Sequence, residues 1–418
     1  MSQRRGIALL VVAASLLSGL LFLRWLLDPA YLVPKVLAMA GNALGLEITA
    51  SGTGDYRLRG TPQLTARNLV VREPGSAAIL LRAARLQVSL PWSTLRFRGA
   101  ELSIHRVDLD APSLDVAALQ RWLAKRPPGP TRIPALTRGV GITGGRVAGE
   151  GWGIDKLDID VPALAANAPL RAHVRGQART GTTRFPLDVH ATLTSPASGA
   201  GLGVVGILAI ENPDWKFPSD FQLSAKLRTK QGLRLQNAVL ASRSRLSYGS
   251  NEFPVVLGIA TTLRIDGDAV HLAPLGLATI GAGAMPTLTS GGDFSADGAL
   301  RFALTGELAS WPNSWPALPL PAGSAASPLP FRISYQGPAD LSGLVTLDIR
   351  YDRTEFEGRF RLPQVMDWID AGATGSPVPP LRGTVRTPLL EVSGATLEGV
   401  EIDVDDADVP DAPVMEGP

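Results

Sequence analysis

The stretch RAARLQVSLPWSTLRFRGAELSIHRVDLDAPSLDV, Arg82 to Val116, decides the fold class. Leu86, Val88 and Leu90 fall on one side of an extended chain, and Arg85, Gln87 and Ser89 fall on the other. Alternation with period two describes strands with one face in water and one against something apolar. The rhythm returns in Leu157, Ile159 and Val161 against Lys156, Asp158 and Asp160, in Leu170, Ala172 and Val174, and in Phe185, Leu187 and Val189. It continues through Phe221, Leu223, Ala225 and Leu227, then Val345, Leu347, Ile349 and Tyr351, and ends in Val400, Ile402 and Val404. Buried parallel strands would read instead as unbroken apolar runs. The pattern predicts a long antiparallel sheet and argues against an α/β enzyme.

Composition agrees. The chain has 418 residues, of which 44 are glycine and 34 proline, so turns outnumber long helices. A hydrophobic share of 45% excludes wholesale disorder. A net charge of +2, spread by alternation of arginine with acid, lacks the basic stripe of a nucleic-acid binder, and no nucleic-acid partner is expected. The absence of cysteine excludes disulfides, thiolate nucleophiles and cysteine-ligated zinc.

At the N-terminus, Arg4 and Arg5 precede an apolar run from Gly6 to Leu23. Its eighteen residues span about 27 Å as a helix, close to the hydrocarbon thickness of a bilayer. Arg24 and Trp25 follow, as interfacial residues do at the far end of a span. The leading arginines place the N-terminus in the cytoplasm and the remainder across the membrane. A cleaved signal peptide is the rival reading. However, Ala38-Met39-Ala40 lies well past the run, which is long for a signal peptide. The expectation is an uncleaved anchor over 1–27 in an inner membrane, with the bulk of the chain periplasmic.

Short helices are expected over 31–44 with Gly45 as C-cap, over Ser113 to Lys125 with Asp115 as N-cap, and over Pro363 to Gly372. Proline-rich segments near 125–134 and over 310–330 suggest boundaries. They give a first unit over 28–126, a middle over 135–309, a loop over 310–330 and a C-terminal unit with an acidic tail over 331–418. Phrases such as LRGTPQLTARNLVV from Leu58 and LRGTVRTPLLEVSG from Leu381 are loosely alike, as repeated hairpins would be.

No catalytic constellation stands out. Gly201, Gly203 and Gly206 match G-x-G-x-x-G, but a β-like stretch follows them where the dinucleotide motif requires a helix. Asp403, Asp405, Asp406 and Asp408 lack the glycine and closing glutamate of a calcium loop. His105, His173, His190 and His271 lie on separate segments, and His173 and His190 fall on polar strand faces and read as solvent-exposed. Asp108 with Asp110, and Asp158 with Asp160, read as wet strand faces. No catalytic residue, cofactor or metal is assigned.

The apolar face must still be covered, at about 25 cal/mol per Å² if it is not. It can fold on itself, pack a second sheet, or curl around something that is not protein. The residues that alternate resemble the N-terminal region of the AsmA family. Leu64, Leu69 and Val71 fall at the first apolar positions of that pattern. Ala84, Leu86, Val88, Leu90, Leu95, Gly99, Leu102, Ile104, Val107, Leu109, Pro112 and Leu114 fall at the second, and TPLLEVSGATLEGVEIDVDD is similar to the closing repeat. The resemblance implies a Gram-negative inner-membrane protein: a transmembrane helix followed by an elongated antiparallel β-sheet curled into a groove, with two or three short helices. It also implies a non-enzymatic role in moving phospholipid towards the outer membrane or in outer-membrane homeostasis. The groove would then be lined by Leu86, Val88, Leu90, Leu102, Ile104, Leu157, Ile159, Val161, Leu187, Val189, Leu223, Leu347, Ile349, Val400 and Ile402, in contact with phospholipid acyl chains. The alternative is an envelope assembly or secretion factor, similar to the type II secretion N subunit, whose sheet binds protein partners.

Overall fold

The structure, a computed structural model, describes residues 34, 37–38, 41–42, 45–52, 54–57, 60–89, 91, 104–125, 136–165, 168–229, 232–249, 251–267, 269–283, 285–312, 328–338, 340–371, 379–392, 395–407 and 409. The expected anchor, with Gly6, Leu23, Arg24 and Trp25, lies outside these residues. Among the described residues no helix is long and apolar enough to cross a membrane. The chain forms two compact units, Met1–Pro196 with Ile210–Pro213, and Ala197–Ala209 with Asp214–Pro418. The division runs through strand β11 (Gly201–Glu211), so the middle unit expected over 135–309 is split and neither proline-rich segment marks the boundary.

In the first unit, β1 (Glu47–Ala50) and β2 (Asp55–Arg57) both pair with β3 (Gln63–Arg72), which pairs with β4 (Ile79–Ser89). β4 then carries β5 (Arg106–Asp110) and β6 (Ser113–Asp115), both antiparallel to it. β7 (Val140–Ala148) runs parallel to β5 and β6, and β8 (Trp152–Val161), β9 (Leu170–Thr180) and β10 (Thr183–Leu193) follow antiparallel. The fully antiparallel expectation is therefore corrected at β7. Parallel neighbours need a crossover, and helix α1 (Val116–Ala124) lies within it. Asp115 caps this helix, accepting from the Ala118 N–H at 2.9 Å. The helix starts three residues later than expected, because Leu114 is held in the sheet between Leu81 and Val147. Of the helix expected over 31–44, the described residues Pro34, Leu37, Ala38, Gly41 and Asn42 are helical. Gly45 ends it at φ 63°, with Leu46 N–H bonded to the Gly41 carbonyl at 2.8 Å.

The second unit is a run of antiparallel neighbours: β12 (Trp215–Arg228), β13 (Leu233–Tyr248), β14 (Asn251–Asp266), β15 (Ala269–Gly281), β16 (Leu288–Asp297), β17 (Ala299–Leu308), β18 (Leu329–Gly337), β19 (Leu344–Tyr351), β20 (Thr354–Arg361), β21 (Leu381–Val392) and β22 (Ala395–Val404). Helix α2 (Leu362–Ala371) follows β20, one residue ahead of its expected span.

Each unit has a small core. In the first, Leu37, Ala66, Leu69, Val71 and Ala83 are buried together. In the second, Leu308, Leu329, Phe331, Ile349 and Tyr351 are buried together, with Trp311 and Phe356 against them. Among the described residues, Ala66 and Val409 are the only hydrophobic side chains below 2% exposure. Most apolar strand residues lie outside these cores.

Candidate functional site

Strand register assembles the apolar positions of the first unit into rungs that cross it without a polar interruption. Ala66, Leu86, Leu109, Ile142, Ile159, Val174 and Val189 are successive cross-strand partners from β3 to β10. Val71, Leu81, Leu114, Val147, Ile154, Ala178 and Phe185 form a second such rung. Residues opposite one another in a ladder project to the same side of the sheet. The rungs stay on one face because the alternation slips at Asn68 (φ 51°) and Lys156 (φ 52°), non-glycine residues in the left-handed region. Leu64 and Ala66 before Asn68 therefore pack with Leu69 and Val71 after it.

The second unit has one long rung: Leu223, Leu240, Ile259, Leu277, Ser290, Gly306, Phe331, Ile349, Phe356, Val385 and Ile402, from β12 to β22. Its burial changes along its length. Leu223, Leu240, Ile259 and Leu277 are half-exposed, Phe331 and Ile349 are buried at 8% and 4%, and Ile402 is exposed at 37%. A two-layer sandwich would bury the whole inner face. Here Phe331 and Ile349 are the buried members of the rung, and Ala238, Val255 and Leu275 are buried beside its half-exposed members on the same face.

The predicted lining residues can now be placed. In the first unit Leu86, Val88, Leu157, Ile159, Val161, Leu187 and Val189 share one face and are all half-exposed. Ile104 makes an isolated bridge to Leu136. In the second unit Leu223, Leu347, Val400 and Ile402 share the face of Ile349, which is a core residue. Leu90 and Leu102 lie outside the described residues.

The opposite face differs between the units: it is polar in the first, and in the second it mixes charged residues with the exposed Val239, Val256 and Ile280. In the first it is laced by ion pairs: Arg85–Asp110 at 2.5 Å, Arg106–Asp108 at 2.7 Å, Arg106–Asp160 at 3.0 Å, and Asp155 held by both Arg146 and Arg179. Asp108, Asp110 and Asp160 are thus partners of arginine, in keeping with their reading as wet strand faces. In the second unit Arg228, Arg234, Arg264 and His271 are successive cross-strand partners. Among the described residues none of these arginines is ion-paired, and Arg234 Nε is buried without a hydrogen-bond partner.

The histidines need a correction. His173 and His190 are direct partners in the β9–β10 register, with rings stacked at 4.2 Å between centroids and planes 8° apart. His173 Nε2 lies 2.6 Å from Asp188 Oδ1, and Arg175 donates to Asp188 Oδ2 at 3.0 Å. The hydrogen bond from His173, then that from Arg175, holds the Asp188 carboxyl below its ordinary range. Reading the histidines as unrelated missed this cluster. The signal lay in the hairpin: Gly181 at φ 53° and Thr182 form a two-residue loop, and counting back from it pairs position 173 with 190.

The remaining motifs carry no site. Gly201 opens β11, Gly203 and Gly206 lie within it, and a strand follows. Asp403 stands in the β21–β22 ladder and accepts from Thr384 Oγ1 at 2.8 Å, and Asp405, one residue past β22, pairs with Arg382; Asp408 lies outside the described residues. Comparison with protein-family models, with curated proteins and with solved structures found no match to the chain.

Proposed function

We propose that this is a non-catalytic lipid-handling protein of the envelope, whose half-exposed apolar sheet faces form troughs for phospholipid acyl chains. The observation that supports it best is the pair of unbroken apolar rungs in the first unit, which are buried at Ala66 and Val71 on β3 and half-exposed at every member from β4 to β10. A protein that needed these side chains only for stability would bury them, because each methylene left wet forgoes about 0.8 kcal/mol. An acyl chain recovers that energy without hydrogen-bonding partners, which these rungs do not offer. The resemblance to the AsmA family adds the setting. The apolar run from Gly6 to Leu23 anchors the chain in the inner membrane, and lipid passes towards the outer membrane down a gradient or through the action of partners.

The test uses the full chain extracted in detergent. A photo-reactive residue at Leu86 or Leu277 should crosslink phospholipid, and native mass spectrometry should show lipid co-released with the protein. The same probe at Gln87, one residue along and on the polar face, should not crosslink. Equal labelling at Leu86 and Gln87, or labelling by envelope proteins at the inner positions in place of lipid, would overturn the reading.

A further inference from the structure

The polar face of the first unit carries a ligand set that the lipid reading does not use. On the β9–β10 hairpin, His173, Asp188 and His190 bring two imidazoles and a carboxylate together, with one ligand atom from each within 4.8 Å of the others. We propose that these three side chains form a surface site for a zinc-class divalent cation, with water in the fourth position.

The donor set selects the ion. Neutral imidazole nitrogens suit zinc, copper and nickel, whereas calcium and magnesium take oxygen ligands almost throughout. The carboxylate is oriented as a metal ligand needs to be. Arg175 engages Asp188 Oδ2 through Nε at 3.0 Å and its terminal nitrogen at 2.9 Å, which leaves Oδ1 turned to His173. Fixing one carboxylate oxygen from behind is what outer-shell partners do in metal sites. Exposure leaves room for an incoming hydrated ion: the His173 and Asp188 side chains are 36% and 39% exposed, and His190 is exposed.

The scaffold lowers the ordering cost. The two histidines are locked opposite one another by backbone pairing on both sides, so only side-chain torsions remain to be set. The stacked rings must tilt for both nitrogens to face one ion, and the second torsion of histidine is soft. The proton that His173 Nε2 donates to Asp188 moves to the other ring nitrogen or to solvent. The surroundings are balanced in charge. Asp160 stands opposite His173 on β8 and is tied to Arg106, while Asp158 stands opposite Arg175. Arg171 lies two residues before His173 on the same strand. Three carboxylates thus face three arginines, and the cation adds its charge to a neutral neighbourhood.

Such an ion would staple β9 to β10. Titration of the untagged full chain in detergent with zinc chloride, followed by calorimetry, should show one zinc per chain. Cobalt in its place should give the visible absorption of a four-coordinate site. His190→Gln and His173→Gln should each weaken zinc binding by about tenfold or more, as loss of a metal contact does. The double control His105→Gln with His271→Gln should bind as the parent does. Absence of saturable binding at one zinc per chain would overturn the proposal. So would binding that survives both His190→Gln and His173→Gln in protein whose circular dichroism is unchanged. Lipid crosslinking at Leu86 is read separately, so failure here leaves the proposed function standing.

Discussion

Ile349 on β19 lies directly opposite Phe331 on β18, and the two are buried together at 4% and 8% exposure. Val88 on β4 lies opposite Leu64 and Val107 in an equally apolar setting but is half-exposed. The pairing is alike and the burial is not, so the same substitution should cost far more stability at Ile349 than at Val88. Ile349→Asp puts an unpaired charge in a closed core and should cost on the order of 4 kcal/mol or more, abolishing the cooperative melt. Val88→Asp lets the carboxylate reach water and should cost about 1–2 kcal/mol while removing lipid crosslinking at Leu86. Thermal melts of the two full-length variants side by side decide it. Equal losses would mean that the inner face of the first unit is a sealed core.

The rung of Arg228, Arg234 and Arg264 sets like charges opposite one another, with Asp266 two residues along β14 as a partial offset. Like charges in direct cross-strand register destabilise by about 0.2–1 kcal/mol per pair. Replacing the central residue, Arg234→Glu, converts two repulsions into two attractions. The melting temperature should rise by a few degrees at low salt, and the gain should shrink as salt is added. A variant less stable than the parent at every ionic strength would show that the stem of Arg234 matters more than its charge.

Much of this architecture was legible because alternation survives without any knowledge of pairing. Leu157 and Ile159, or Leu187 and Val189, show their common face in the sequence itself. Three things were not legible. Leu64 and Ala66 are out of phase with Leu69 and Val71 until Asn68 is known to take a left-handed conformation, and that depends on the neighbouring strand. The parallel run of β7 is invisible because Val140 and Ile142 alternate as antiparallel residues do. His173 and His190 are seventeen positions apart, and only the hairpin loop at Gly181 and Thr182 makes them partners. Burial was the least legible of all, since Leu347 and Ile349 read alike although only Ile349 falls below core exposure.

Thr354 and Thr387 share a buried hydrogen bond of 2.9 Å between their hydroxyls, and Thr387 also donates to the Leu389 carbonyl at 3.0 Å. Thr387→Val removes both and strands the Thr354 hydroxyl, for an expected loss of about 1–3 kcal/mol. The double replacement Thr354→Val with Thr387→Val leaves no orphan hydroxyl and should recover part of that loss. Chemical denaturation of the parent, both single variants and the double variant gives the coupling. Simple additivity would mean that the two hydroxyls do not depend on each other.

Asp155 joins β7 to β9 through Arg146 at 2.8 Å and Arg179 at 3.0 Å. The Arg179 hydrogen bond, opposed by slight burial and reinforced by Arg146, holds its carboxyl below the ordinary aspartate range. A depressed folded value means that the ionised form is favoured by folding, so its contribution is complete above the unfolded value near 3.9. That contribution fades as pH falls through the folded value and vanishes below it. Asp155→Asn should therefore melt slightly below the parent at neutral pH, by less than about 1 kcal/mol, as befits ion pairs open to solvent. The two proteins should converge as the medium is acidified past the unfolded value. Melts taken from neutral pH down to the acid limit of folding test the sign directly. A deficit that widens with acidification would mean that Asp155 is protonated more readily in the folded chain than in the unfolded one.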